Sequence, residues 1–396
     1  EGEVPADAQV AAKEDDEKDA KHPSSKKRRK RSEACSAFLL SPTWKLLMLS
    51  VVGIVPVFGV LAFLPTGLAH LGCTGYWCMA KYYGFAMYVS MMFLYNFAMS
   101  QFTDPGGTER VKPTFEPTGQ YLMHFEGEVE NKQIDSDEPL MYAPNYCDHC
   151  KRWKPPRAHH CRYCNRCTLR MDHHCPFTGN CIGLDNHGHF VLMYIFAFIG
   201  VIYSLILAGA SLYHSHVELE RRGKYLRPPK PLSKMGVVEM LALSVHQLIL
   251  HTDLTVGVQL IASAIAMAAV AGFGSSALYQ AARGRTMLET IFPMKEYVQI
   301  KKQVYCPLGQ GFYSRSCRQN LRDVLGPSWL RRLFLPVKGE PVGLHVAVSP
   351  IPSDVGVKAL LERIDEVQRE VVKAEVKTKE ELGINEGPDS KSSGRV

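Results

Sequence analysis

Charge is what the sequence lacks, in four places. Residues 46–64, 82–102, 190–213 and 254–282 hold no Asp, Glu, Lys or Arg. About 20 apolar residues cross a bilayer core, and each run reaches or approaches that length. The absence excludes two ordinary soluble domains, which 396 residues would otherwise allow. No internal repeat is expected. No cleavable leader is expected either, because the first apolar run lies too far in and is too long. The net charge is only +7. That excess speaks for sidedness across a membrane, and no nucleic-acid partner is expected.

What is present is concentrated. Seven of the twelve cysteines lie between Cys147 and Cys181, with apolar runs on both sides. Cys147/Cys150 and Cys161/Cys164 stand at Cys-x2-Cys spacing, where two thiolates can take adjacent corners of one tetrahedron. Cys167, Cys181 and nearby histidines supply the rest. With Cys175 set aside, six cysteines plus His160 and His174 make eight ligands, enough for two closed tetrahedral zinc sites of structural kind. Spacing leaves open which sulfur joins which ion. In so loop-rich a stretch, metal binding would supply much of the folding free energy.

Cys175 follows Asp172, His173 and His174. A neighbouring imidazole can take a thiol proton, and a carboxylate can hold that imidazole in the right tautomer. Cys175 is then a nucleophile with His173 as base and Asp172 as its orienting group. The alternative makes Cys175 a spare metal ligand. A nucleophile close to the third apolar run suits a substrate that is half lipid, such as a fatty-acyl thioester.

Basic residues set the expected orientation. The block at 26–31, Arg110, Lys112, the Arg and Lys of 151–170, and Arg283, Arg285, Lys295, Lys301 and Lys302 fall on one side. The 65–81 loop holds only Lys81, while the 214–253 loop is a basic exception. The totals place both termini and the cysteine-rich stretch in the cytosol. Cys73 and Cys78 then face an oxidising lumen, as a disulfide or as two free thiols. Residues 237–251 read as an amphipathic helix on the membrane face. Leu360, Ile364, Val367, Val371 and Ala374 give helical spacing in the tail, and 384–396 read as disordered.

The expected architecture is an all-α polytopic membrane protein. Residues 1–45 form a disordered cytosolic segment. Two spans follow over 46–102, then a cytosolic loop at 103–189 whose metal-binding core is 147–190. Two more spans occupy 190–282. A cytosolic segment at 283–345 rests against the membrane, and 346–396 form a charged tail.

At the cysteine-rich stretch the sequence resembles the DHHC-type protein S-acyltransferases, the palmitoyltransferases. The match runs through Cys147, Cys150, His160, Cys161, Cys164, Cys167, Asp172, His173, His174, Cys175, Pro176, Asn180, Cys181, Asn186 and Phe190. Asp104-Pro105-Gly106, Thr286 to Glu289, Leu308-Gly309 and Asn320 resemble further family motifs. The resemblance implies one zinc on Cys147, Cys150, His160 and Cys167, and another on Cys161, Cys164, His174 and Cys181. It implies that Asp172, His173 and Cys175 are catalytic. It also implies palmitoyl-coenzyme A as co-substrate, substrate proteins at the cytosolic face of the bilayer, and the Golgi or endoplasmic reticulum as residence.

Two departures stand out. Phe177 replaces a Trp, keeping an apolar face but losing the indole N–H. Met287 replaces a Thr whose hydroxyl helps to hold the catalytic Asp in the family, so Asp172 needs another partner, with Thr286 as a candidate. Gly200 falls where the family limits chain length; it leaves room for a long acyl chain or permits close helix packing. Lys151, Arg152, Lys154, Arg157, Arg162 and Arg166 could meet coenzyme A phosphates or serve as positive-inside charge. A zinc-binding adaptor on a membrane anchor would need no free thiol, and the Asp172-His173-x-Cys175 set argues against one.

Overall fold

The structure is a computed structural model. It describes residues 41–110, 141–142, 145–221, 236, 254–292, 297–301, 304–309, 311–339 and 354–381. The basic block at 26–31, the stretch 237–251 and residues 384–396 lie outside the described residues.

Helix α1 (Pro42–Phe58) passes through a π-helical turn (Gly59–Phe63) into α2 (Leu64–His70). Pro56 inside α1 lacks an N–H donor, and the wider turn follows directly after it. Helix α3 (Tyr76–Phe102) returns. A Cys73–Cys78 disulfide ties the turn between α2 and α3 to the first turn of α3. After the cysteine-rich module come α4 (His187–Arg221) and α5 (Leu254–Ala269), the latter continued through a second π-helical turn into α6 (Ser275–Ala282).

By length and composition, three helical stretches among the described residues can cross a membrane: Pro42–Ala69, His187–Ser215 and Val256–Ala282. Helix α3 has 27 residues, long enough to cross at about 1.5 Å per residue. It is less apolar than the other three, because Lys81, several tyrosines and Asn96 interrupt it. Its polar end is buried: Asn96, Ser100 and Gln101 are each at most 1% exposed. The backbone carbonyls at that end hold the module. Asn180 Nδ2 reaches the carbonyls of Ser100, Gln101 and Thr103 at 2.9–3.2 Å. Asn186 Nδ2 reaches Ser100 O at 3.2 Å, and Lys45 Nζ reaches Gln101 O at 2.8 Å. Carbonyls left open at a helix C-terminus thus become the module's mooring.

The module is three antiparallel hairpins: β2 (Asn145–Cys147) with β3 (Arg152–Lys154), β4 (His159–Cys161) with β5 (Arg166–Thr168), and β6 (His173–Cys175) with β7 (Asn180–Ile182). A repeat absent from the sequence reading becomes visible here. Tyr146 faces Trp153, His160 faces Cys167, and His174 faces Cys181. Cys147, Cys161 and Cys175 stand fourteen residues apart, each at the end of the first strand. Each turn ends on a left-handed residue: Lys151 (φ 51°), Asn165 (φ 50°) and Gly179 (φ 56°).

Beyond the helices, β1 (Met141–Tyr142), β8 (Tyr297–Lys301) and β9 (Val304–Pro307) form an antiparallel sheet in the order β1-β8-β9. Short helices α7 (Met287–Ile291), α8 (Cys317–Leu325) and α9 (Trp329–Phe334) fold beneath the bundle. Helix α10 (Asp354–Glu381) packs on β9. Leu360 and Ile364 of the expected stripe are fully buried there, and Arg363 bonds the carbonyl of Leu308.

Candidate functional site

Two clusters of four ligands assemble from the hairpins: Cys147, Cys150, His160 and Cys167, and Cys161, Cys164, His174 and Cys181. In each, the ligand atoms lie within 4.8 Å of one another. A zinc tetrahedron with bonds of about 2.3 Å to sulfur and 2.0–2.1 Å to nitrogen has S···N edges of about 3.6 Å and S···S edges of about 3.8 Å. In the second cluster His174 Nδ1 stands 3.6, 3.4 and 3.7 Å from the sulfurs of Cys161, Cys164 and Cys181. In the first, His160 Nδ1 stands 3.3 Å from Cys150 and 3.9 Å from Cys167. The three-sulfur, one-nitrogen sets fit zinc in size and in chemistry. None of these cysteines is in a disulfide. Each cluster takes its Cys-x2-Cys pair from one hairpin and its His and Cys from facing positions on the next, so metal ties consecutive hairpins together.

Cys175 belongs to neither cluster. It is 6% exposed, packed among Phe97, Ile182, Phe190 and Met193, with Met48 and Val52 of α1 at the margin. His173 Nδ1 donates to Asp172 Oδ2 at 2.6 Å, and the same imidazole stands two residues from the Cys175 thiol on the strand. His173 and His174 are neighbours on a strand, where successive side chains point to opposite faces. One therefore turns to Asp172 and the other to the sulfurs.

Burial opposes charge on all three of Asp172, His173 and Cys175, and specific partners overrule it. The charges of His187 and His173 and the N–H of Met287 bring the Asp172 carboxyl down to about 2. Hydrogen bonds to Asp172 and Cys175 raise His173 to about 9. The His173 hydrogen bond and charge lower the Cys175 thiol. The arrangement favours an ion pair of thiolate and imidazolium.

Several expectations need correction. Thr286 does not hold Asp172: its hydroxyl accepts the Glu289 N–H at 3.2 Å and caps α7. The partner is the backbone N–H of Met287, which donates to Asp172 Oδ1 at 2.8 Å. Side-chain identity at 287 does not enter that bond. Arg157 is buried and pairs with Glu289, and Arg166 donates twice to Asp104, so neither guanidinium is free for phosphate. Gly200 faces α3, where an added Cβ would stand 3.4 Å from Val89 Cγ1. Phe177 is 62% exposed. Asn320 Nδ2 binds Ala282 O at 2.8 Å and Arg315 O at 3.0 Å, closing the end of α6.

Trp44 is a further residue of the site. Its indole Nε1 donates to Pro176 O at 2.9 Å, one residue past the thiol, and ties α1 to the third hairpin. The available signal was a tryptophan at the edge of the first apolar run, where interfacial aromatics gather.

Residues 141–293 match the family model described as DHHC palmitoyltransferase. The chain is 33% identical over 140 residues to a probable protein S-acyltransferase 16 of Arabidopsis thaliana, covering 35% of this chain and 45% of that one. It is 42% identical over 83 residues to the palmitoyltransferase ERF2 of Yarrowia lipolytica, covering 21% and 19%. It is 30% identical over 240 residues to the palmitoyltransferase PFA3 of Debaryomyces hansenii, covering 54% and 52%. The matched part thus spans about half the length of these relatives or less.

Proposed function

Because residues 141–293 match the DHHC palmitoyltransferase family model, we propose that this membrane protein moves a long-chain fatty acyl group from acyl-coenzyme A to cysteine thiols of other proteins. One observation carries the reading. A seventh thiol stands apart from two complete four-ligand clusters and is joined instead to a His173–Asp172 pair.

The chemistry follows from that placement. The Cys175 sulfur attacks the thioester carbonyl, the carbon–sulfur bond to coenzyme A breaks, and its leaving thiolate takes a proton from His173. A substrate thiol then gives its proton to His173 and attacks acyl-Cys175, which returns the enzyme thiolate. Asp172 keeps the His173 ring in the tautomer that serves both steps. Zinc, bound by four protein ligands in each cluster, supplies fixed geometry and leaves no open position for substrate. The apolar residues around Cys175 give the start of the chain a dry surface.

Four spans are part of the proposal. Helix α3 packs against α1 and α4, its length sufficient and its C-terminal end turned to the module. Cytosolic placement of both termini and of Cys175 draws support from the basic residues near the module. The Cys73–Cys78 disulfide, at the opposite turn, agrees with an oxidising lumen. Residence in the Golgi or endoplasmic reticulum is proposed with it.

The test is acyl-enzyme formation. Purified protein incubated with palmitoyl-coenzyme A is expected to carry a hydroxylamine-sensitive palmitoyl adduct on the Cys175 peptide, absent in Cys175→Ser. An unacylated, zinc-loaded wild type would reject transfer in favour of a scaffold.

Met287 yields a second expectation. Met287→Thr adds a hydroxyl beside Asp172 without removing the backbone N–H already there. Single-turnover acylation of Cys175 is expected to rise about two- to tenfold, roughly the worth of one net hydrogen bond. An unchanged rate would mean that the N–H alone fixes the carboxylate.

A further inference from the structure

Arg157 lies in the module but binds the segment that follows the last bundle helix. It follows Pro155-Pro156, takes a left-handed backbone (φ 63°) and is 6% exposed. Its Nε donates to Glu289 Oε1 at 2.6 Å, and its Nη2 to Glu289 Oε2 at 3.0 Å. The same Nη2 donates to Gly284 O at 2.8 Å, and the guanidinium lies 4.7 Å from the centre of the Tyr313 ring.

Gly284 and Glu289 bracket the turn that joins α6 to α7. Gly284 ends α6 in a left-handed conformation (φ 63°) that a side chain would strain, and an added Cβ would meet Asn320 Oδ1 at 2.7 Å. Glu289 Oε2 also accepts the N–H of Thr286 at 3.0 Å, completing the reciprocal cap of α7. One guanidinium therefore grips both ends of the turn. The next N–H in that turn belongs to Met287, and it donates to Asp172 Oδ1 at 2.8 Å. On the other side, the N–H of Met171, adjacent to Asp172, donates to Arg157 O at 3.1 Å. The ring closes: Arg157, Glu289, the α7 cap, Asp172, Met171 and back to Arg157.

We propose that Arg157 is a positioning residue for the nucleophile. Through Glu289 it fixes where the Met287 N–H meets Asp172, and through Asp172 it sets the aim of His173 at Cys175. The inference rests on the transfer reading above for its meaning, but its geometry concerns only the thiol's reactivity. Met287 sharpens the dependence, because the contact from this turn to Asp172 is a backbone N–H, whose position is that of the cap itself. A planar, two-pronged guanidinium can hold Glu289 in plane and reach Gly284 as well; an ammonium cannot do both.

The experiment uses the whole protein in detergent and measures alkylation by iodoacetamide, peptide by peptide. Cys317, an exposed free thiol on α8, is the internal reference. In Arg157→Lys and Arg157→Gln, Cys175 alkylation is expected to slow about tenfold or more, as a misaimed base would cause, while Cys317 and the zinc content stay at wild-type levels. Arg157→Lys keeps the charge that compensates Glu289, so it separates loss of aim from loss of fold. Wild-type Cys175 alkylation in both variants would overturn the proposal. Loss of zinc in both would also overturn it, making Arg157 a structural part of the module. A second arm with palmitoyl-coenzyme A is expected to lose maximal acylation rate with an unchanged half-saturating concentration. A wild type that alkylates rapidly at Cys175 but never acylates would sink the transfer reading and leave the positioning result standing.

Discussion

Replacing His174 with alanine is expected to remove one of two zinc ions and all acyl transfer. Replacing its neighbour His173 is expected to keep both ions and slow transfer about 10²- to 10⁴-fold, the usual worth of a positioned base. The two rings leave the strand on opposite faces. His174 Nδ1 is 3.4–3.7 Å from three sulfurs, while its ring stacks on Tyr163 at 4.8 Å between centres. His173 Nδ1 is 2.6 Å from Asp172. The second cluster takes Cys161 and Cys164 from the second hairpin, and His174 and Cys181 from the third. Opening it unfastens the hairpin that carries Cys175 from the one before. A structural zinc contributes on the order of 10 kcal/mol to the folding of a small site, far more than three-residue strands can replace. Zinc measured by mass spectrometry beside acyl-enzyme formation checks both variants. Zinc loss in His173→Ala, or two ions retained in His174→Ala, would mean that the roles of the two rings had been exchanged.

How much of this was legible in the sequence depends on the range of each interaction. The Cys-x2-Cys pairs are local, and four-ligand arithmetic needs only the spacing of nearby residues. Eight ligands in two sets of four could therefore be counted before any fold was known. The hairpins themselves could not: strands of three residues carry no readable alternation, and no glycine or proline pattern marks all three turns. Their fourteen-residue repeat was hidden because its third copy replaces one of the two paired cysteines. Long apolar runs made three of the helices plain. The second run was harder to weigh, because Asn96 bonds His189 of α4 and Gln101 bonds the Lys45 carbonyl of α1, and composition cannot tell polar groups satisfied between helices from a poor span. Long-range links left little signal. Arg157 and Glu289 are 132 residues apart, as are Trp44 and Pro176. Spacing placed Arg157 among solvent-facing cations, and only its burial shows that it holds the α7 cap.

Thr178→Cys is expected to silence the nucleophile by giving it a metal. In the first two hairpins a cysteine ends the first strand and a second follows three residues later: Cys147 and Cys150, then Cys161 and Cys164. In the third, Cys175 ends the strand and Thr178 stands where the partner thiol would be. Thr178 is 1% exposed, and its hydroxyl donates to Cys175 O at 3.3 Å, within the turn. Each metal cluster also needs a His and a Cys from the following hairpin. No fourth hairpin follows, because α4 begins at His187. Fourteen residues beyond His174 and Cys181 stand Gly188 and Ile195, both inside α4. Cys175 is thus the first ligand of a third knuckle that lacks its partner thiol and the next hairpin. That is the physical reason why one thiol stays free in a module otherwise made of metal ligands. Restoring the thiol at 178 recreates the spacing of the other two pairs, with His173 at hand as a third ligand. The variant is expected to bind about three zinc ions instead of about two, with water in the last position of the new site. Its acyl-enzyme formation is expected to fall about a hundredfold or more, because a zinc-bound thiolate is held as a ligand. Thr178→Val, which fills the turn without a ligand, is expected to keep two zincs and acylate within about twofold of wild type, a change below 0.5 kcal/mol. Metal content and acylation, measured together under reducing conditions, decide the matter. A Thr178→Cys protein with two zincs and wild-type acylation would show that something other than the missing thiol keeps Cys175 free.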